Sequence, residues 1–177
     1  KKKTVLVYNG YDNKNYLSSK LIREDFRKKY KIQLKEIILG YAGRYAKQKN
    51  IPSLLSAFSK VIKKYKNVYL FMAGKNINRN NKELFKIIKK LDIEKKVILL
   101  NEQKNLLEFY NGIDLLILPS LSESFPNVVP ESMLCSTPVL SSDAGCSKKI
   151  INNCGFVLKK NSVNSIFKNL NRIIKLQ

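Results

Sequence analysis

The sequence predicts an α/β domain built on a doubly wound parallel sheet, and three observations carry that prediction. Short apolar runs alternate along the chain with amphipathic stretches, which is the pattern of βα units. Apolar residues make up 44% of 177 residues, enough for one packed core and too many for a disordered polyelectrolyte. The apolar runs end in Gly43-Arg44, Gly74-Lys75, Asn101-Glu102, Ser120–Glu123 and Ser142–Gly145. Those turns fall at the carboxyl ends of the expected strands, the edge at which such sheets bind ligands.

Each element follows in order from local signals. Thr4–Tyr8 reads as a strand followed by the turn-rich Asn9–Asn13. Ser18 or Ser19 is placed to cap a helix carrying Leu21, Ile22 and Phe26 on one side. Ile37–Ala42 is a buried strand. Asn50 is expected to cap the next helix, with Pro52 tolerated in a first turn whose N–H groups have no helical partner. Leu54, Leu55, Phe58, Val61, Ile62 and Tyr65 then make one helical stripe. Val68–Ala73 is a strand and Lys82–Leu91 a helix with Leu84, Phe85, Ile87, Ile88 and Leu91 inward. Val97–Leu100 is a strand, Asn105–Tyr110 a short helix, and Asp114–Leu118 a strand closed by Pro119. Val128–Leu134 is a helix, and Pro138–Ser141 and Gly155–Leu158 are strands. A final amphipathic helix holds Val163, Ile166, Leu170 and Ile173. Residues 1–33 are expected to form an interdomain linker segment and helix, and residues 34–177 one domain without internal repeats.

Lys and Arg total 34 against 13 Asp and Glu, a formal charge of +21, and 29 of those cations are Lys. Such charge fits solvated helix faces, and attraction to an anionic membrane surface is a second reading. Nucleic acid is disfavoured, because base reading and bidentate phosphate contacts use Arg, of which there are 5. The chain has no His, which removes His triads, His bases and His metal ligands from it. Cys135, Cys146 and Cys154 are odd in number and form no CxxC pair, so they are expected to be buried small hydrophobes in a reducing cytoplasm. The apolar run Ile113–Leu118 falls far short of the ~18 residues a membrane span needs. Lys1–Lys3 precede only the short Val5–Tyr8 run, so no signal peptide is expected.

The most specific segment is Glu123-Ser-Phe-Pro-Asn-Val-Val-Pro-Glu131. One carboxylate stands in a loop after a strand and the other a turn into a helix. Helix-start N–H groups between them make an anion cradle. Two such acids can bracket one molecule rich in hydroxyls, so a sugar or ribose is the natural guest.

These residues resemble the E-x7-E signature of retaining glycosyltransferases of the GT-B fold, glycosyltransferase family 4 or group 1. The surroundings fit the same family: Asp114-Leu-Leu-Ile-Leu-Pro-Ser120, Glu131-Ser-Met-Leu-Cys-Ser-Thr-Pro-Val139 and Ser142-Asp-Ala-Gly145. Gly43-Arg44 with Lys49 is similar to the family's G-R-x4-K, and Asn9-Gly10-Tyr11-Asp12 to its linker motif. The resemblance covers nearly the whole chain. It departs from the family at Pro126, Asn50, Ser136 and Cys146, where relatives commonly carry Gly.

The resemblance implies the C-terminal, Rossmann-like donor half of a two-domain enzyme. The acceptor-binding N-terminal half would be absent, and this half alone would be inactive. Arg44 and Lys49 would neutralise the donor diphosphate, with Gly43 in the same turn. Backbone N–H groups of Ser124, Phe125, Asn127 and Val128 would support phosphate or sugar oxygens. Glu123 would lie against the donor sugar, Glu131 would hold the ribose hydroxyls, and Gln103 would line the base pocket. The catalytic set is then Glu123, Arg44 and Lys49. No metal and no tightly bound cofactor is implied, and the donor would be a nucleotide diphosphate sugar, more in keeping with UDP than GDP. The acceptor would be a bacterial cell-surface glycan such as capsule or lipopolysaccharide, or a lipid-linked precursor, reached through the N-terminal domain. The implied location is cytoplasmic, with peripheral contact at the inner face of the plasma membrane. Two rival readings stay open from sequence: a GT-B-fold sugar-nucleotide epimerase or phosphorylase relative, and a basic nucleic-acid-binding module.

Overall fold

The computed structural model describes residues 9–11 and 15–176; the strand expected at Thr4–Tyr8 lies outside the described residues. β1 (Ile37–Ala42), β2 (Val68–Ala73), β3 (Val97–Leu99), β4 (Leu115–Leu118), β5 (Val139–Ser142) and β6 (Phe156–Leu158) pair in the order β3-β2-β1-β4-β5-β6, every pairing parallel. The helices are α1 (Lys20–Lys29), α2 (Ile51–Lys64), α3 (Lys82–Lys90), α4 (Leu107–Gly112), α5 (Val128–Leu134), α6 (Ser147–Ile151) and α7 (Val163–Ile174).

Strand alternation sends successive side chains to opposite faces, and each face meets its own helices. Leu39 and Tyr41 of β1, Leu70 and Met72 of β2, and Leu115 and Ile117 of β4 pack with α2, α3 and α7. Ile38, Ala42, Phe71, Leu116 and Leu118 point the other way, toward α1, α4, α5 and α6. Both faces are therefore covered, which is why these strands read as continuous apolar runs.

The chain winds outward from β1 through β2 to β3, returns to β4 beside β1, and winds outward again to β6. The reversal lies between β1 and β4, and such a switch point opens a crevice at the carboxyl ends of the two strands. Hydrogen bonds tie that edge together: Gly43 N–H donates to Ala73 O at 2.9 Å, Tyr45 N–H to Lys75 O at 2.9 Å, and Gly74 N–H to Asn101 O at 2.8 Å. Gly74 has φ +143°, and a Cβ there would run into the carbonyl of Gly43, so the β1 and β2 ends approach this closely only with glycine.

α1 belongs to the same packed unit. Phe26 lies in the core, and Arg27 is 1% exposed. The Arg27 guanidinium donates to the carbonyls of Gly112, Gln33, Leu34 and Glu36 and to Asp114 Oδ2. Asp114 also accepts from Arg23 and from Ile38 N–H. This network fastens α1 to the amino ends of β1 and β4, opposite the crevice.

Several expectations need correction. Asn50 occupies the position before α2 but in the left-handed region (φ 53°, ψ 35°), and its Nδ2 donates to Asn161 O instead of its side chain capping the helix. Asn105 lies outside α4, where its Oδ1 accepts from Leu107 N–H at 2.7 Å, so that helix starts two residues later than its apolar spacing implies. α6 is unanticipated, being one short turn with Lys148 and Lys149 and no apolar stripe. Of the three cysteines only Cys135 is buried; Cys154 is exposed in the turn before β6.

Candidate functional site

A cleft of about 470 Å³ opens at the β1/β4 switch point. One wall is the segment after β1, with Gly43, Arg44 and Lys49; the other is the loop after β4, with Glu123, Ser124, Phe125, Asn127 and Val128. Eight residues singled out from sequence thus meet around one cavity. Gln48 and Ser122 also line it; Gln48 sits inside the G-R-x4-K motif and Ser122 just before Glu123, and neither carries a spacing signal of its own.

Lys49 Nζ lies 2.5 Å from Glu123 Oε1, with side chains 15% and 9% exposed, so a nearly buried ion pair bridges the two walls. Leu121 N–H donates to Gln48 O at 2.7 Å and holds the walls together at the backbone. Arg44 is exposed at the rim and makes no ion pair among the described residues, leaving its charge uncommitted. Beneath the pair, the buried Tyr41 hydroxyl donates to Arg44 O at 3.2 Å. Burial first, and then the Glu123 charge, raise the Tyr41 pKa far above its ordinary value, so this hydroxyl stays a donor.

The Glu123 loop rests on the loop after β5. Cys146 N–H donates to Ser124 O at 3.2 Å. Gly145 has φ +57°, and a Cβ there would strike the carbonyl oxygens of both Glu123 and Ser124. At the start of α5, the Asn127 side-chain oxygen is already committed, Oδ1 accepting from Asn9 Nδ2 at 3.0 Å and from the Tyr11 hydroxyl at 2.7 Å. That leaves the Nδ2 group and the backbone N–H of Asn127 as its donors for a ligand. Phe125 stacks on Tyr11 with centroids 6.4 Å apart.

Glu131 and Gln103 do not line the cleft. Glu131 turns toward α4, where Oε2 accepts from the Tyr110 hydroxyl at 2.7 Å. Burial and then the Glu131 charge raise the Tyr110 pKa strongly, so the tyrosine remains a donor to the carboxylate. Gln103 is exposed past β3 and bonds back to Leu100 O. Among the described residues no group of three or more His, Cys, Asp or Glu could hold a metal ion, and no helix is long and apolar enough to cross a membrane.

A six-stranded parallel sheet with a cation-bearing crevice at its switch point defines a Rossmann-like α/β domain. The family model for glycosyl transferases group 1 matches residues 22–177, and the chain belongs to that family. It is 32% identical over 81% of its length to an uncharacterized glycosyltransferase of Methanocaldococcus jannaschii, covering 34% of that protein. It is 25% identical over 97% of its length to the capsular polysaccharide biosynthesis glycosyltransferase CapM of Staphylococcus aureus, covering 46% of it. HepE of Anabaena, solved with UDP and glucose, superposes with a TM-score of 0.84 at 23% identity over 96% of this chain and 47% of that one. The chain thus spans less than half the length of these relatives.

Proposed function

We propose that this chain is the donor-binding half of a retaining glycosyltransferase. The enzyme moves a hexose or N-acetylhexosamine from a UDP-linked sugar to a cell-surface glycan or lipid-linked acceptor, which its other half binds. The observation that carries the proposal is the Lys49–Glu123 pair, set with the uncommitted Arg44 around a cleft at the switch point. The UDP bound by HepE and the capsule role in CapM's name support the donor and acceptor classes.

In this reading the diphosphate lies over Gly43, Arg44 and Lys49. Negative charge on the leaving phosphate grows as the anomeric C–O bond breaks, and the two cations stabilise it more than they stabilise the ground state. Each charge-assisted contact contributes about 1.5–3 kcal/mol, so losing one slows transfer roughly 10–100-fold. The backbone N–H groups of Ser124, Phe125, Asn127 and Val128 serve phosphate or sugar oxygens. Glu123 holds negative charge beside a sugar ring that becomes oxocarbenium-like. The acceptor attacks from the face the phosphate leaves, and the departing phosphate takes the acceptor's proton. Glu131, steadied by Tyr110, holds the ribose hydroxyls, and Gln103 edges the base.

Calorimetric titration of the intact protein with UDP, GDP and UDP-sugars tests this. UDP is expected to bind more tightly than GDP, with Arg44→Ala weakening UDP roughly 10–100-fold and Glu131→Ala weakening it as well. Failure of every nucleoside diphosphate to bind would overturn the reading.

A further inference from the structure

The two helices that lie side by side over one face of the sheet, α2 and α7, contain no acidic residue. Nor does any part of residues 37–82 or 144–177. Lys60, Lys63 and Lys64 on α2, Lys168 and Arg172 on α7, and Lys175 at its end are all exposed. Lys159 and Lys160 lead into α7 and, with Lys168 and Arg172, line a groove of about 460 Å³.

The partners of these cations matter as much as their number. Lys60 Nζ donates to Asn164 Oδ1 at 2.9 Å and Lys64 Nζ to Asn171 Oδ1 at 2.8 Å, across the seam between the helices. An amide accepts the hydrogen bond without cancelling the charge, whereas Asp in either place would neutralise it. The opposite layer and its flanking loop are built the other way: Lys20 pairs with Glu24, Lys29 with Glu108, and Lys148 with Asp143. The α2/α7 face therefore carries eight cations and no acid, whereas the opposite layer offsets part of its charge with acids.

We infer that the α2/α7 face docks on the anionic headgroups of a lipid bilayer. This locates the peripheral membrane contact on a specific surface and does not depend on the donor reading. The complementarity is of a diffuse kind. The cations spread over two adjacent helices, seven of the eight are Lys, and Arg172 lies over the Phe156 ring with 5.8 Å to its centroid. Among the described residues no exposed aromatic side chain stands on this face for base stacking, and a single-stranded nucleic acid would use one. Lys suits a surface of mobile phosphates, where point charges suffice and fork geometry adds nothing.

The test is sedimentation of the intact protein with phosphatidylcholine vesicles, with and without about a third phosphatidylglycerol. Each Lys or Arg near such a surface strengthens partitioning roughly fivefold. Replacing Lys60, Lys63, Lys168 and Arg172 together with Gln should weaken binding to the anionic vesicles on the order of 100-fold or more. Replacing Lys20, Lys28, Lys29 and Lys148 with Gln removes the same four charges from the opposite side and should weaken it less than tenfold. Binding should vanish in high salt, and UDP affinity should be unchanged in both variants. An equal loss in the two variants, no preference for anionic vesicles, or tighter salt-sensitive retention on a short RNA than on vesicles would each overturn the inference. Loss of UDP binding in the unaltered protein would count against the donor reading alone.

Discussion

Lys49 and Glu123 come from opposite walls of the cleft, and their side chains meet at 2.5 Å. A diphosphate seated there competes with the Glu123 carboxylate for the Lys49 ammonium. Glu123→Gln removes both that competition and a like charge, so UDP affinity is expected to rise about two- to tenfold while turnover falls roughly 100-fold or more. Lys49→Met should weaken UDP about 10–100-fold and cost about 1–3 kcal/mol of stability, because it strands a nearly buried carboxylate. Titration calorimetry, single-turnover assays and thermal unfolding separate these effects. A drop in UDP affinity for Glu123→Gln would refute the competition.

Gly145 underlies the same loop from a third direction. Any Cβ at that position meets the Glu123 and Ser124 carbonyl oxygens, and φ +57° strains an L-residue besides. Gly145→Ala is expected to lower UDP affinity at least about tenfold and stability by about 1–3 kcal/mol. Gly10→Ala, at a position with nothing within 4 Å of the new methyl, should change neither. Wild-type affinity in Gly145→Ala would show that the loop can shift without disturbing the site.

Arg27 is a structural cation with no part in the cleft. Its side chain is 1% exposed and paired with Asp114. Burial lowers its pKa, and Asp114 works against that shift. Arg27→Met would take the guanidinium donors away from four carbonyl oxygens, of which Gln33 O keeps the Glu36 N–H, and from Asp114 Oδ2, at a cost of about 3–5 kcal/mol. Arg27→Lys should recover little of it, since an ammonium cannot span that fork of acceptors. Chemical denaturation measures both, and UDP affinity of the folded fraction should match wild type.

The strands were legible because strands buried on both faces leave continuous apolar runs; Ile37–Ala42 and Val68–Ala73 are found at the residues their pattern marks. Long helices were legible through their stripes. What escaped was set by tertiary contacts. α6 has too few residues to show a period, and the Arg23–Arg27–Asp114 network joins residues 87 to 91 positions apart. The site motifs announced a cleft but not its internal pairing. Nothing in the spacing of Glu123 and Glu131 tells that one acid faces Lys49 while the other turns to Tyr110.

Two of the positions where the family resemblance implies Gly are left-handed here: Asn50 at φ 53° and Ser136 at φ 59°. Cys146, at φ −87°, is not, so no glycine is required there. Asn tolerates the left-handed region well and also donates to Asn161 O, whereas Ser136 is exposed and strained. Ser136→Gly is therefore expected to stabilise the fold by about 0.5–1 kcal/mol after the added unfolded-state entropy is subtracted. Asn50→Gly should destabilise it. Opposite shifts in melting temperature are the result to look for.

Alkaline pH should unfold this protein through groups that are protonated only because they are buried. Burial first, then the Glu131 charge, push the Cys135 thiol up to about 11 from 9.0. The same two causes hold Tyr110 above its ordinary range, and burial with Glu123 does so for Tyr41. In each case the folded state keeps its proton longer than the unfolded chain. The stabilisation is complete below the unfolded pKa and lost above it, as the unfolded chain ionises first. Stability should therefore stay level to about pH 9. Cys135 should then remove about 1–3 kcal/mol between pH 9 and 11, with the tyrosines adding their loss above 10. Cys135→Ala should move the onset of that decline toward pH 10. At pH 8 iodoacetamide should modify the exposed Cys154 well before Cys135, whose thiol is buried and protonated. Equal rates at the two cysteines would mean that the α4/α5 layer opens far more readily than its packing allows.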